Sequence, residues 1–279
     1  MLPADGHVHS QWSWDAVNGS MERTCAQAVA MGLPAVAFTE HADYTPWIVV
    51  TADLEADPDL AAFTSPAGVL VPPALDLNGY LECLGRCRER FSDLRIISGV
   101  ELGEPHWHSA AAARLLRAGE FDRVLGSQHC LPLGAGFAEP PSLYRHGPAD
   151  QVVRDYLAEV VRLIEGCDAF AVLAHIDYPL RYWPALATPF DPSEFEEEFR
   201  HALRVLAGTG KALEINTEGP MHPEIVRWWR EEGGQAVTFG SDAHEPGRIG
   251  YRFGEASALA EASGLRPGRH PWDYWRRPQ

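Results

Sequence analysis

"ADGHVHSQWSWDA" (residues 4–16) carries His7 and His9 one residue apart at the end of a short run of the kind that forms a strand. Side chains two apart on a strand point the same way, so both imidazoles can face one spot. The arrangement recurs along the chain. Further short apolar, β-branched runs are "PAVAFTEH" (34–41), "LRIISGVE" (94–101), "FDRVLGSQH" (121–129), "AFAVLAH" (169–175), "KALEINTEG" (211–219) and "QAVTFGSDAH" (235–244), which makes seven candidate strands. His41 ends the second run, Glu101 the third, His129 the fourth, His175 the fifth, and Asp242 and His244 the seventh.

Between the runs lie segments with helical spacing at 20–32, 76–91, 109–118, 149–166, 192–208 and 222–233. The first opens on Ser20-Met21-Glu22, an N-cap followed by an acidic turn, and ends at Gly32. The fifth starts "DPSEFEEEF" (191–199), a proline and acid-rich turn suited to the positive end of a helix dipole. Strands that alternate with helices imply a parallel sheet, and seven such units favour a barrel over an open sheet. In a parallel barrel the strand C-termini share one face, so ligand-type residues spread over the whole chain converge there. A lone histidine at a strand end is usually a hydrogen-bonded loop residue. Six histidines and two acids at the same ends of successive strands predict a metal cluster. Asp15, six residues after His9, either folds back to that cluster or caps a turn.

Two connections interrupt the rhythm. Residues 42–75 and 130–148 are rich in Pro, Gly and Ala, and loops of that length in a compact domain are functional covers or disordered. The first is expected to overhang the site.

A chain of 279 residues with 46% hydrophobic residues can build a sizeable core without staples. The net charge of -16, with Lys211 the sole lysine, disfavours a nucleic-acid backbone or an anionic membrane as partner. A small phosphorylated substrate remains compatible, because a metal cluster supplies positive charge locally. The five cysteines (Cys25, Cys83, Cys87, Cys130, Cys167) form no C-x-x-C pair, and no signal-like or membrane-spanning run is present. A reduced, cytoplasmic setting is expected, with Cys83 and Cys87 as buried small apolar residues rather than a zinc clip.

"DGHVHSQWSWDA", "FTEHAD", "SGVELGE", "GSQHCL", "LAHIDYP", "EINTEG" and "FGSDAHEPGRIG" together resemble the PHP family, named for its polymerase and histidinol phosphatase members. They occur in the family order and cover the chain from end to end. The resemblance implies one domain over residues 1–279, a distorted seven-stranded (β/α)7 TIM-like barrel with a trinuclear metal site at the C-terminal ends of its strands. It implies that His7, His9, Glu101 and Asp242 hold one ion. Glu101 would bridge to a second ion held by His129 and His175, and Asp15, His41 and His244 would hold a third. The ions would be zinc, manganese or iron. Some members have histidine where Asp15 stands, and a harder carboxylate there favours manganese or iron.

The number of ligands alone also calls for more than one ion. Two ions roughly 3.5–4 Å apart can clamp both oxygens of an in-line displacement and acidify a bridging water. The expected reaction is hydrolysis of a small phosphate monoester by direct hydroxide attack, without a phosphoenzyme. Glu101, Asp242 and His244 are the expected catalytic residues among the ligands. Arg181 and Arg248, close behind His175 and His244, are candidate phosphate clamps or structural ion pairs. Asp177 is placed to orient a ligand imidazole. Glu104, His106 and His108 either serve the leaving group or are ordinary loop residues. Trp12, Trp14, Trp47 and Trp107 lie on predicted mouth loops, where packing is the commoner role. His146, His201, His222 and His270 match no motif.

Within the family, chain length, "EINTEG" and "GSQHCL" favour the histidinol-phosphatase branch, although the arginine expected soon after "EINT" is missing before Arg227. A nuclease or phosphodiesterase on the same cluster is disfavoured by the acidic surface. An amidohydrolase barrel would bridge its metals with a carbamylated lysine, and Lys211 opens its strand rather than ending it. A catalytically silent metal-binding module would have lost ligands, and all nine expected positions are filled.

Overall fold

A computed structural model describes residues 2–278. Seven parallel strands form the sheet: β1 (Asp5–Val8), β2 (Ala35–Ala42), β3 (Arg95–Gly103), β4 (Arg123–Ser127), β5 (Val172–Leu173), β6 (Ala212–Asn216) and β7 (Ala236–Gly240). They stand side by side in chain order. A short antiparallel strand, β8 (Trp275–Arg276), adds to the start of β7 through Ala236 and Val237. At its other end the sheet curls shut. Val8 bridges to Ala243, and backbone bonds run from His9 N to Ala243 O and from Asp242 N to His7 O, both 2.9 Å. The fold is therefore the expected distorted barrel, closed between first and last parallel strands only where their C-termini meet. Asp5 fastens this seam, its carboxylate accepting from Ser241 N at 3.0 Å and Gly250 N at 2.9 Å. Burial pushes the Asp5 carboxyl up to about 6.

Helices cover the outside: α1 (Met21–Met31), α2 (Leu77–Arg90), α3 (Ser109–Ala118), α4 (Ala149–Gly166), α5 (Glu196–Thr209), α6 (Pro223–Glu231) and α7 (Phe253–Ala262). The Ser20 hydroxyl accepts from Arg23 N and Gly32 ends α1 in the left-handed region, as the sequence signals require. The stretch read as one helix from 192 is split. Pro192–Phe195 forms a 3-10 turn capped by Asp191, and α5 proper begins at Glu196. Helix α7 was not expected, because its Ala- and Ser-rich sequence has little amphipathic contrast. The core between helices and barrel is apolar: Trp228 and Trp229 of α6 are fully buried, and Trp229 Nε1 donates to Ala236 O at 3.2 Å. Among the described residues no helix is long and apolar enough to cross a membrane.

Both long connections are ordered. The first contains a paired Trp47–Ile48 and Val69–Leu70 and a helix at Thr51–Ala56. The second contains a hairpin, Leu131–Leu133 with Gly136–Ala138, and a helix at Pro140–His146. They share a small core of their own in which Trp47, Val49, Leu70 and Cys130 pack with Trp14, Trp107 and Phe137. That satellite core holds them over one end of the barrel. They are latched together as well: Arg145 Nη1 and Ser142 Oγ donate to the Asp53 carboxylate at 2.7 and 2.9 Å.

Candidate metal centre

All nine expected residues meet at the C-terminal end of the barrel. In the β2–β3 register His41 stands opposite Glu101, and Glu101 opposite Leu125 of β4. Glu101 is the hub, fully buried. Its Oε2 lies 3.0 Å from His7 Nε2, and 3.3 Å from both His9 Nε2 and His41 Nδ1. Its Oε1 lies 2.8 Å from His175 Nε2 and 3.3 Å from His129 Nε2. Asp242 Oδ1 approaches His9 Nε2 at 3.1 Å and His7 Nε2 at 3.3 Å. Asp15 does fold back, with Oδ2 3.2 Å from His244 Nε2 and 3.3 Å from His41 Nε2.

Three sets of ligand-type atoms lie within 4.8 Å of one another: His7, His9, Glu101 and Asp242; His41, Glu101 and His129; and His9, His41 and His244. None of these sets includes a cysteine. The five thiols are free and buried. Burial and the neighbouring Cys83 thiol raise Cys87 to about 11.

Hydrogen bonds on the far side of the rings decide what the cluster can hold. His7 Nδ1 meets Glu214 Oε2 at 2.8 Å, so that nitrogen carries the proton. Ser13 Oγ donates its one proton to Glu40 Oε2 at 2.6 Å and accepts from His41 N, so His9 Nδ1, 2.9 Å away, must donate to it. His129 Nδ1 faces Asp43 Oδ1 at 3.3 Å, and His244 Nδ1 faces the Asp242 carbonyl at 2.8 Å. With a proton on each Nδ1, the Nε2 atoms of these four rings face carboxylate oxygens and are the positions that a metal ion, or in its absence a second proton, would occupy. His7 Nε2 and His9 Nε2 even face each other at 3.0 Å. Such a nest of electron pairs requires cations. Among the described residues the Nδ1 of His175 and the Oδ1 of Asp15 have no hydrogen-bond partner.

The electrostatics agree. Burial works against charge on His7, but the Glu101, Glu214 and Asp242 carboxylates outweigh it and hold the ring well above its ordinary range. Burial likewise opposes ionisation of Glu101 and Asp242. His7 and His41 overcome it for Glu101, His7 and Arg181 for Asp242, and both stay well below the usual carboxylate range. Protons and metal ions compete for the same lone pairs, so a field that draws in the one draws in the other.

Two glycines make room for the orienting carboxylates. A Cβ on Gly240 would sit 2.6 Å from Glu214 Oε2, and one on Gly103 would sit 2.1 Å from Asp43 Oδ1. Asp242 is held at φ 55° and His175 at φ 20°, backbone that side-chain-bearing residues rarely adopt.

One expectation is corrected, and several open readings are decided. Asp177 makes no bond to His175 and lines the cavity wall instead, where burial pushes its carboxyl up to about 6. Its expected part is taken by Glu214, Ser13 with Glu40, and Asp43. Glu104, His106 and His108 turn away from the cluster. The Glu104 carboxylate accepts from His129 N and Cys130 N at 2.6 and 2.9 Å, fixing the loop that presents His129. His106 pairs with Glu159, and His108 with Thr45. Of the tryptophans, Trp14 and Trp47 line the cavity. Trp12 packs on the main core and Trp107 in the loop core. His222, assigned no role from sequence, lines the rim and caps α6 by accepting from Glu224 N at 3.2 Å.

Above the cluster lies a cavity of about 1100 Å³, walled by both long loops. Arg181 reaches into it from the turn after β5 and donates to Asp242 Oδ2 at 2.7 Å and Asn216 Oδ1 at 3.0 Å. A guanidinium thus stands beside the "EINT" segment although no arginine follows that segment in sequence before Arg227. Arg248 is a rim residue, 3.4 Å from Glu218 with its guanidinium 3.8 Å over the Tyr251 ring.

A PHP domain model matches residues 5–218. A histidinol-phosphatase of Lactococcus lactis is 24% identical over 274 residues, covering 95% of this chain and 93% of that one. A probable histidinol-phosphatase of Deinococcus radiodurans is 28% identical over 269 residues, 90% of each. The crystal structure of histidinol phosphate phosphatase from Lactococcus lactis, complexed with zinc, L-histidinol and phosphate, has a TM-score of 0.78 at 23% identity over 94% of both chains. With a domain match over most of its length, the chain belongs to the PHP family.

Proposed function

We propose that this chain is a metal-dependent phosphatase that hydrolyses a small phosphate monoester, histidinol phosphate being the substrate its relatives point to. The observation that carries the reading is the convergence of four imidazole Nε2 atoms, each turned inward by a partner on its Nδ1, on the carboxylates of Glu101, Asp242 and Asp15. Nitrogen and carboxylate donors without sulfur suit zinc, manganese or iron. Three ions would divide as follows: His7, His9, Glu101 and Asp242 hold one, Glu101 with His129 and His175 a second, and Asp15, His41 and His244 a third. When bound, the ions supply positive charge to the phosphate and acidify a water at their centre.

The chain's own residues do the rest. Arg181 holds non-bridging phosphate oxygens and neutralises charge that grows as the ester bond breaks. Glu214, Ser13 and Asp43 keep the imidazoles turned with Nε2 inward. The latched loops limit water over the reacting ester. Arg248 at the rim meets whatever extends beyond the phosphate. Five free, buried thiols suit a reducing cytoplasm.

Glu214→Gln keeps a hydrogen bond to His7 but removes the charge that strengthens its Nε2 as a donor. It is expected to weaken metal retention by about 10–100-fold in a chelator competition, with melting temperature little changed.

The reading is tested by stripping the protein with a chelator, restoring zinc, manganese or iron, and assaying histidinol phosphate beside sugar and nucleoside phosphates. Activity should vanish and return with metal, and histidinol phosphate should lead in kcat/KM by at least about tenfold. Equally poor turnover of every ester removes the histidinol assignment. Metal uptake with no hydrolysis of any ester removes the enzyme.

A further inference from the structure

In a chain with 39 acidic and 23 basic residues, an arginine readily finds a carboxylate. Eleven arginines have one, among them Arg88 with Asp122 and Arg200 with Glu196. One face of the molecule departs from this. Arg230, Arg266, Arg276 and Arg277 are exposed, and among the described residues none of the four pairs with a carboxylate. The hydrogen bonds that their side chains do make run to backbone carbonyls. Arg266 Nη1 bonds Glu261 O and Leu265 O, both at 2.7 Å, and Arg277 Nη1 approaches Arg230 O at 3.5 Å.

The C-terminal segment gathers them at the barrel floor, the end away from the metal centre. Arg276 stands opposite Ala236 at the start of β7, and Arg277 N donates to Gln235 O at 3.2 Å. Arg266 and Arg276 exchange backbone bonds of 2.9 and 2.8 Å. The Arg230 guanidinium carbon would lie 3.9 Å from a Cβ on Gly264, just before Arg266 in sequence. The same segment crosses the floor, with Tyr274 packed on the cluster of Val172, Ala212 and Ala236 and Trp272 on that of Ala35 and Ile97. Its rings steady the charges. The guanidinium carbons of Arg276 and the buried Arg123 lie 5.9 and 5.1 Å from the Tyr274 centre, and that of Arg95 lies 5.5 Å from Trp272. A guanidinium laid against a ring keeps its N–H edge free and has little side-chain freedom left to lose.

We propose that this floor is a docking surface for an acidic segment of a partner protein, its carboxylates received by the guanidinium forks of Arg230, Arg266, Arg276 and Arg277. The planar fork meets a carboxylate with two parallel bonds. Like charges held together without counter-ions also steer an oppositely charged partner to them. Nucleic acid fits less well, because its charge, one per ~1.7 Å of duplex, runs past the patch onto a molecule of net charge -16. Two copies of this chain meeting floor to floor would set arginine against arginine. Docking here leaves the metal cavity open and does not depend on what that cavity hydrolyses.

The test is fluorescence anisotropy of two labelled probes on metal-loaded protein, a peptide of about ten glutamates and an oligothymidylate of the same length. The peptide should bind, with a Kd that rises at least about tenfold between ~50 and ~200 mM salt. The triple variant Arg230→Gln, Arg276→Gln, Arg277→Gln should raise that Kd about tenfold or more. Arg114→Gln with Arg117→Gln, at exposed arginines of α3 away from the floor, should change it less than about twofold. No binding to wild type at low salt overturns the proposal. Equal weakening in the two variants does so too, since net charge is then the whole attraction. Oligothymidylate bound more tightly than the peptide overturns the acidic partner in favour of nucleic acid. A peptide that binds metal-loaded but not chelated protein sits on the ions and overturns the docking surface. A dimer in sedimentation that the triple variant dissociates makes the floor a contact between copies and overturns it as well. The exchanged side chains are exposed, so the triple variant should keep its melting temperature. If it melts early, Arg277→Glu, outside every strand and helix, is read in its place and should raise Kd at least about threefold.

Discussion

Glu101→Gln is expected to reduce kcat/KM by on the order of 10³-fold or more and to leave the protein with fewer bound ions. The side chain is fully buried and its two oxygens face five imidazoles, with Ser127 Oγ completing Oε1 at 2.5 Å. Glutamine fills the same volume, but its amide nitrogen turns hydrogens toward lone pairs that would otherwise take a metal. The cluster therefore loses both a metal-binding oxygen and the negative charge that draws cations to the imidazoles. Two measurements separate this from simple misfolding. Metal content by mass spectrometry should fall, while the far-ultraviolet circular dichroism of the variant should match that of chelated wild type. The opposite pair, full metal content with activity within tenfold of wild type, would remove Glu101 from the centre of the site.

That hub, and the seven other ligand-type residues near it, could be read from the sequence because their chemistry sits at one recurrent place, the end of a strand; Asp15, on a loop, is left open by spacing and is named by the family resemblance. Parallel register then does the assembly, as it does for His41 and Glu101 side by side. The residues behind the rings had no such marker. Glu40 and Asp43 flank His41 and look like any acids in a loop, and Ser13 looks like a turn residue. Glu214 offered one overlooked clue: "EINTEG" is the single strand ending without a ligand, yet Glu214 and Asn216 alternate along it and both point inward. Asp177 shows the converse error. Nearness in sequence to His175 suggested contact, but His175 leaves the strand at φ 20° and the chain turns into the Tyr178–Tyr182 3-10 segment, which carries Asp177 to the wall. The covering loops were placed by length and composition alone. Their two- and three-residue strands are too short to show a period, and they are held by packing of Trp14, Trp47 and Trp107 that only the folded chain brings together.

Arg181→Met is expected to lower kcat/KM by about 10²–10³-fold while metal content stays near that of wild type. The argument turns on how the guanidinium is used. Only Nη2 is engaged, by Asp242 and Asn216, so among the described residues Nη1 and Nε have no hydrogen-bond partner and remain available beside the cluster. A planar fork held at one corner and stacked against Tyr178 is already oriented for a phosphate, and little side-chain freedom is lost when the anion arrives. Lysine keeps the charge but not the fork, so Arg181→Lys should lie between the two, about tenfold down. Inorganic phosphate supplies a readout independent of turnover: its inhibition constant should rise in the order wild type, Lys, Met. A purely structural arginine behaves differently. Freed from its partner, the buried Asp242 would shift, metal content and melting temperature would fall, and phosphate inhibition of the remaining holoenzyme would be unchanged. That second pattern would assign Arg181 to the support of Asp242 and leave the phosphate to be held by the ions alone.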